Sequence, residues 1–269
     1  MKTIHLGIIG VGWCGGIRAE TAAKNPLIAS LHLAETNPER LAQLRNTVPA
    51  QTYTDNYQDL IQNPQIEAII ISATPESTHY PMARDALKAG KHVFLEKPIA
   101  IELSEADELI TLAQQKNLKF TIGYSQRFNP KYAYVKKALR DGVIGKAVSV
   151  LVSRHITRSL GKKISGRIKL SPAAMESTHD LDFVLWCLQP AKPVKVYSQI
   201  NYGAMRESTG ADIPDTQWIT VTMDNGLSFV VGGGWSLPPG YPNFSSTWIE
   251  FVGTEGALLV DDSHKDVIL

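Results

Sequence analysis

An apolar run over residues 3–9 leads into Gly10-Val11-Gly12-Trp13-Cys14-Gly15. The run shows little polar alternation, as expected of a parallel strand covered on both faces. A helical stretch over residues 17–23 follows, and a second strand pattern over 29–34 ends at Glu35, twenty residues past Gly15. A lone GxGxxG is a common turn, but strand, glycine turn, helix, strand and acid in this order describe a βαβ dinucleotide cradle. In such a cradle Gly10 permits the tight turn, Gly12 lets backbone amides approach a pyrophosphate, and Gly15 lets the helix pack closely. Trp13 and Cys14, inside the turn, join the cofactor-binding candidates. Glu35 is placed to accept hydrogen bonds from an adenosine ribose. A carboxylate there repels a 2′-phosphate, and Thr36 and Asn37 add no arginine, so NAD is expected over NADP. Arg40, one helical turn on, keeps NADP as the alternative. The bland reading is a Rossmann-like domain with a vestigial cleft.

Helical patterns over 42–48 and 57–62 precede the next buried strand, Ile66-Glu67-Ala68-Ile69-Ile70-Ile71-Ser72. In open α/β sheets ligands bind at the carboxyl ends of strands. Thr74 and Pro75 are therefore expected to border the cofactor, together with His79 in the turn leading into a helix over 82–89. As a group, His79 reads as a helix-terminal residue satisfied by local hydrogen bonds rather than as an acid or base, because its helix holds it back from the nicotinamide. Gly90 ends that helix, and a fourth strand over 91–95 delivers Glu96-Lys97-Pro98 to the same edge. An ammonium there polarises a carbonyl and, desolvated beside a cationic ring, shuttles an alcohol proton. The alternative for Lys97 is a solvated lysine at a strand end.

The glycine fingerprint, the Thr74-Pro75 loop and Glu96-Lys97-Pro98, in this order and at these spacings, resemble the glucose-fructose oxidoreductase/inositol dehydrogenase (Gfo/Idh/MocA) family of NAD(P)-dependent sugar and cyclitol dehydrogenases. The resemblance covers most of the chain, and the Glu-Lys-Pro triplet is its most specific part. It implies that Lys97 contacts the hydroxyl or carbonyl that reacts, that Glu96 lies beside the nicotinamide ribose, and that Pro98 fixes the turn through a cis bond. It also places Arg127, in Gln126-Arg127-Phe128-Asn129-Pro130, near the cofactor or substrate; read alone, Arg127 is equally a packed interdomain residue. Tyr124, just before this segment, is a substrate-binding candidate.

After a helix over 132–140, strand patterns dominate: 147–156, 194–202, 216–223, 227–231, 246–252 and 257–260. Turns at Asp224-Asn225-Gly226 and Gly253-Thr254-Glu255-Gly256 read as hairpins. The fold class is α/β: an N-terminal Rossmann doubly wound parallel sheet over 1–122, then an α+β substrate-binding and oligomerisation domain with a large, mostly antiparallel open sheet over 123–269. One face of that sheet, with Trp218, Phe229, Val231 and Trp248, is apolar enough to pack on a second subunit. The resemblance likewise implies homodimers or homotetramers through it.

Between the first two of these strands lies Met175-Glu176-Ser177-Thr178-His179-Asp180-Leu181-Asp182. Ser177 with Asp180 reads as a capping box that puts His179 and Asp182 in the first turns of a helix. This resembles the family's histidine helix, which makes His179 the second catalytic candidate and a substrate ligand. Many dehydrogenases of the family carry an aspartate four residues before that histidine, where this chain has Met175. Either Glu176 substitutes from a shifted position, or Lys97 and His179 work as a pair, or the chain is not an efficient dehydrogenase. Asp182 is read as supporting the fold, with ordering of His179 as the alternative. Just upstream, residues 158–169 concentrate five basic residues and two glycines. They read as a solvated, mobile loop, with closure over an anionic substrate as the sharper alternative.

A formal charge of +1, from 27 basic and 26 acidic residues, gives no broad field of one sign, which argues against nucleic acid or an anionic membrane as partner. Two separated cysteines support neither a disulfide framework nor a zinc site, so no metal is expected. No apolar run approaches the ~20 residues that cross a bilayer, and the N-terminus lacks a cleavage-site pattern. A cytoplasmic protein acting on a small polyol or sugar is the expectation. An NAD-dependent glycosidase of the same fold, or a non-catalytic NAD-binding regulatory protein, are the alternatives. Residues 266–269 look like part of a hairpin where relatives commonly continue, in keeping with a shortened or truncated chain.

Overall fold

The computed structural model describes residues 2–166, 170–210 and 212–261, and the chain divides into two units, Met1–Gly123 and Tyr124–Leu269. The sequence expectation for residues 266–269 lies outside the described residues.

In the first unit the chain runs β1 (Ile4–Ile9), α1 (Trp13–Ala23), β2 (Ile28–Ala34), α2 (Pro38–Thr47), β3 (Thr52–Thr54), α3 (Tyr57–Gln62), β4 (Ala68–Ile71), α4 (His79–Lys88), β5 (His92–Leu95), α5 (Leu103–Gln115) and β6 (Phe120–Ile122). All its strand pairs are parallel, in the order β3-β2-β1-β4-β5-β6. The continuous apolar strands follow from this topology. Successive side chains point to opposite faces, so Ile8 joins one core with Leu6, Leu33 and Leu44, while Ile9 joins another with Ile69, Ile71 and Leu95. The strand order reverses between β1 and β4, the switch point at which such sheets open a cleft.

In the second unit the elements are α6 (Pro130–Arg140), β7 (Ala147–Thr157), α7 (Arg158–Ser165), α8 (Thr178–Cys187), β8 (Pro193–Asn201), α9 (Ala204–Thr209), β9 (Thr216–Met223), β10 (Ser228–Leu237), β11 (Ser245–Gly253) and β12 (Ala257–Asp261). Its sheet has the order β12-β11-β7-β10-β9-β8 and is antiparallel except for the β7–β10 pair. Alternation sends Val150, Val152, Ile219, Val221, Phe229, Val231, Ile249 and Phe251 into one core with Phe183 and Val184 of α8 and Tyr132 and Val135 of α6. Phe183 stands edge-on to both Tyr132 and Phe251, at 4.8 and 5.9 Å between ring centres.

Four local expectations change. Phe229 and Val231, expected with Trp218 and Trp248 on a face that packs on a second subunit, lie in the core, and the two tryptophans stand on the opposite face. Strand β10 runs on past Val231, where the strand pattern in the sequence ends, through Gly232-Gly233-Gly234 to Leu237. Gly233, at φ +137°, lets this strand close on β7: a Cβ there would stand 1.6 Å from the Arg154 carbonyl oxygen. The basic segment is helical over Arg158–Ser165 rather than a loop, because Leu160, Gly161 and Ile164 line one side of it and pack with Trp235, Met175 and Met205. Lys162 and Lys163 remain exposed on that helix, and Arg167 and Lys169 of the segment lie outside the described residues. Ser177 is not a cap. A π-helical turn over Ala173–Ser177 runs straight into α8, Ser177 is buried without a capping hydrogen bond, and Asp180 serves other partners.

Candidate functional site

Gly10 follows β1 with φ +78°, and a side chain there would meet the Ala73 backbone at 2.5 Å; a Cβ on Gly15 would stand 1.9 Å from the Gly10 carbonyl oxygen. Sterics alone therefore demand glycine at both places. At Gly12 nothing lies within 4 Å of the Cβ position. That open space beside the N-terminus of α1, with the main-chain N–H groups of Trp13 and Cys14, suits a diphosphate. Both of those side chains are exposed. Glu35 is anchored to the same turn: it accepts the Val11 N–H at 2.8 Å and the Asn37 N–H at 3.0 Å, with lone pairs left for ribose hydroxyls. Arg40 donates from Nε to the Val11 carbonyl at 2.9 Å and from Nη1 to Gln43 at 2.7 Å. Gly12, Trp13, Gly16, Ile17, Glu20 and Arg40 line an open cleft of about 470 Å³. The glycine turn and Glu35, rather than the far end of that cleft along α1, fit a dinucleotide.

The loops after β4 and β5 lie on the same edge. The Glu96 N–H donates to the Ile71 carbonyl at 2.9 Å, which ties the Lys97 turn to the end of β4. The Thr74–Pro75 and Lys97–Pro98 peptide bonds are both cis. His79 is 1% exposed, with Nδ1 2.8 Å from the Pro98 carbonyl oxygen and Nε2 3.1 Å from that of Ala73. It bridges the two loops and faces main chain. Glu96 pairs with Arg18 and accepts the Lys97 N–H at 3.2 Å. Lys97 itself is half-buried.

In the second unit His179 sits on the first turn of α8, with the Tyr124 ring edge-on at 6.2 Å and the Tyr124 hydroxyl 3.3 Å from Thr178 Oγ1. Glu176, in the π-helical turn, is half-buried, whereas Met175 is buried in the apolar cluster around Trp235. Asp182 accepts a forked pair from Arg127, at 2.8 and 2.6 Å. The hydrogen bond to Asp182 raises the pKa of Arg127, whose guanidinium also lies 5.6 Å from the Trp186 ring. Tyr124 and His179 are thus brought together, and Arg127 and Asp182 make a separate pair. Asp180, the next residue after His179, accepts two hydrogen bonds from Arg154 and one from Gln126 at 3.1 Å. Burial opposes the charge on Arg154, but Asp180 outweighs it and holds the guanidinium pKa above its ordinary value. Burial pushes the Cys187 thiol up to about 12, which leaves it without nucleophilic character at neutral pH.

Sequence reasoning missed Arg18, Arg154 and the real task of Asp180. Each had a signal. Arg18 stands three residues past Gly15, on the same side of α1. Arg154 falls on the inward side of β7 with Val150, Val152 and Ile156, and a charge on a core-facing position demands a buried counter-charge.

Family models match both units: the oxidoreductase family NAD-binding Rossmann fold over residues 4–124, and the GFO/IDH/MocA C-terminal domain over residues 132–259. The chain belongs to the GFO/IDH/MocA oxidoreductases, and its first unit is their NAD-binding domain. Among relatives, it is 25% identical to the uncharacterized oxidoreductase YrbE of Bacillus subtilis (strain 168), over 99% of this chain and 76% of that one. It is 29% identical to inositol 2-dehydrogenase of Salmonella typhimurium (strain LT2), over 85% of this chain and 66% of that one. Its fold matches scyllo-inositol dehydrogenase from Lactobacillus casei, solved with bound NAD(H) and scyllo-inositol, with a TM-score of 0.88 at 24% identity over 99% of this chain and 79% of that one. The first curated relatives are matched over 60–78% of their own length.

Proposed function

We propose that this chain is an NAD-dependent oxidoreductase that moves hydride between the nicotinamide and a secondary alcohol or ketone of a sugar, cyclitol or related polyol. Bound NAD supplies the hydride acceptor at C4 of its ring. Lys97 handles the proton of the reacting hydroxyl, and His179 is the second proton-handling group and a substrate ligand. The observation that carries the reading is within the first unit: Lys97 follows β5 on the sheet edge where β1 ends in the glycine fingerprint and β2 in Glu35. Relatives that act on inositols support the substrate class. The test is a panel of sugars and polyols followed at the nicotinamide absorbance, with NAD and with NADP, on wild type and Lys97→Met. Equal rates in the two proteins would remove Lys97 from the mechanism.

Met175 favours a second reading. Packed in an apolar cluster, it offers no proton, in keeping with an NAD-binding protein that does not turn over. Under that reading NAD binds, no polyol is converted, and Lys97→Ala leaves ligand binding unchanged. We further propose that the outer face of the second unit's sheet pairs with a second copy of the chain.

A further inference from the structure

Arg18 reaches from α1 over the ends of two strands. Its Nη1 donates to Ser72 Oγ at 3.4 Å after β4, its Nη2 pairs with Glu96 Oε1 after β5, and its guanidinium lies 5.1 Å from the Phe94 ring centre. The two partners are 23% and 14% exposed in their side chains. In such a setting a charge pair interacts more strongly than in open water. Glu96 is confined from other sides as well. It accepts the Lys97 N–H, and its carboxylate fills the place beside Gly123 where a Cβ would come within 3.0–3.3 Å of it. The pair therefore links the fingerprint helix to the residue that immediately precedes Lys97.

We propose that Arg18 is a positioning residue for Lys97: its guanidinium fixes the Glu96 carboxylate and balances its charge, so that the turn presents the Lys97 amine without a bare carboxylate beside it. The proposal rests on the reading of Lys97 as the proton-handling group. Without Arg18, the uncompensated Glu96 favours the ammonium form of its neighbour over the amine. Without Glu96, the remaining guanidinium favours the amine.

The test reads Lys97 directly in the full chain. Reductive methylation by formaldehyde and a borane, followed by peptide mass spectrometry across pH, reports the unprotonated amine, the form that reacts. Arg18→Met is expected to move the Lys97 profile to higher pH by about half a unit or more. Arg18→Lys, which keeps the charge, and the double variant Arg18→Met/Glu96→Gln should lie close to wild type, and Glu96→Gln alone should move the profile to lower pH. Coincident profiles in all five proteins, with Arg18→Met merely less stable, would overturn the proposal. So would an unmoved profile combined with a roughly tenfold weaker NAD affinity, which makes Arg18 a cofactor ligand instead. If Arg18→Met does not fold, the Glu96→Gln profile decides, and no shift or an upward shift overturns the idea. The labelling needs no substrate, so a polyol panel without turnover sinks the proposed activity while leaving this result standing.

Discussion

Arg154 and Asp180 face each other in a doubly hydrogen-bonded pair, Nε to Oδ2 and Nη2 to Oδ1 at 2.7 Å each, with the Asp180 side chain wholly buried. The pair joins β7 to the first turn of α8, the turn that carries His179. Removing one charge strands the other in the core, a loss of about 3–5 kcal/mol. Asp180→Asn is therefore expected to lower the urea midpoint steeply, and Arg154→Met/Asp180→Leu to cost less than the sum of its single changes. An Asp180→Asn protein within about 1 kcal/mol of wild type would mean that the pair does not hold the helix.

The glycines of the fingerprint separate fold from ligand binding. A Cβ on Gly15 collides with backbone, whereas one on Gly12 meets only open space. Gly15→Ala is expected to destabilise the first unit and abolish NAD binding together. Gly12→Ala should melt like wild type yet bind NADH about tenfold or more weakly in a fluorescence titration, because the methyl occupies the diphosphate's place. Unchanged NADH affinity in Gly12→Ala would move the diphosphate elsewhere.

The first unit was legible because its signals are local and periodic. Apolar runs, glycines and a spaced acid specify a parallel sheet and its cleft before any tertiary contact is known. The second unit was legible as strands but not in detail. The strand pattern stops at Val231 because the close approach of β7 that carries the glycines on in β10 is invisible in sequence, and the 158–165 helix reads as a loop because its apolar side is only Leu160, Gly161 and Ile164. In the site, Lys97 and His179 stood out through motifs. Arg18 did not, since its partner Glu96 lies far along the chain and only the sheet brings the two together.

Glu35 is expected to set cofactor preference. Its carboxylate is held by the Val11 and Asn37 amides, and a carboxylate repels a phosphate brought against it. Glu35→Ala should weaken NAD binding by about tenfold and raise the NADP-to-NAD affinity ratio. Arg40, which donates to the Val11 carbonyl and to Gln43, is not held by Glu35 and keeps those partners in the variant. Titration of both reduced cofactors checks this, and a ratio unmoved by the substitution would show that Glu35 only braces the turn.

His32 makes the first unit sensitive to acid. It is 1% exposed, and its ring lies 2.8 Å from Ser30 Oγ and 3.0 Å from Thr52 Oγ1. Burial, and after it the nearby His5, lowers its pKa; burial lowers that of His155 as well. Both rings stay neutral in the folded chain at a pH where an unfolded histidine, titrating near ~6.5, takes up a proton. Their contribution to stability is therefore complete above that pH and is lost as the pH falls toward the lower folded-state values. Melting temperature should fall from pH 7 to pH 5, and a folded His32→Asn variant should show a shallower fall. An equal slope in the two proteins would assign the acid sensitivity to other groups.

The outer face of the second sheet follows from register. Tyr197, Thr220, Val230, Leu151, Glu250 and Leu259 stand in one row across β8, β9, β10, β7, β11 and β12, on the side opposite the core. Tyr197, Leu151 and Leu259 in that row are 63%, 37% and 57% exposed, and Trp248 in the adjacent row is 38% exposed. Exposed apolar side chains gathered on one sheet face mark a contact surface, and a second copy would meet it about a two-fold axis. Light scattering is expected to give a multiple of the chain mass for wild type. Leu151→Lys combined with Trp248→Lys should return it to a single chain, with the NAD affinity of the first unit retained. A monomeric wild type at micromolar concentration would leave the face to some other partner and remove the second copy from the proposal.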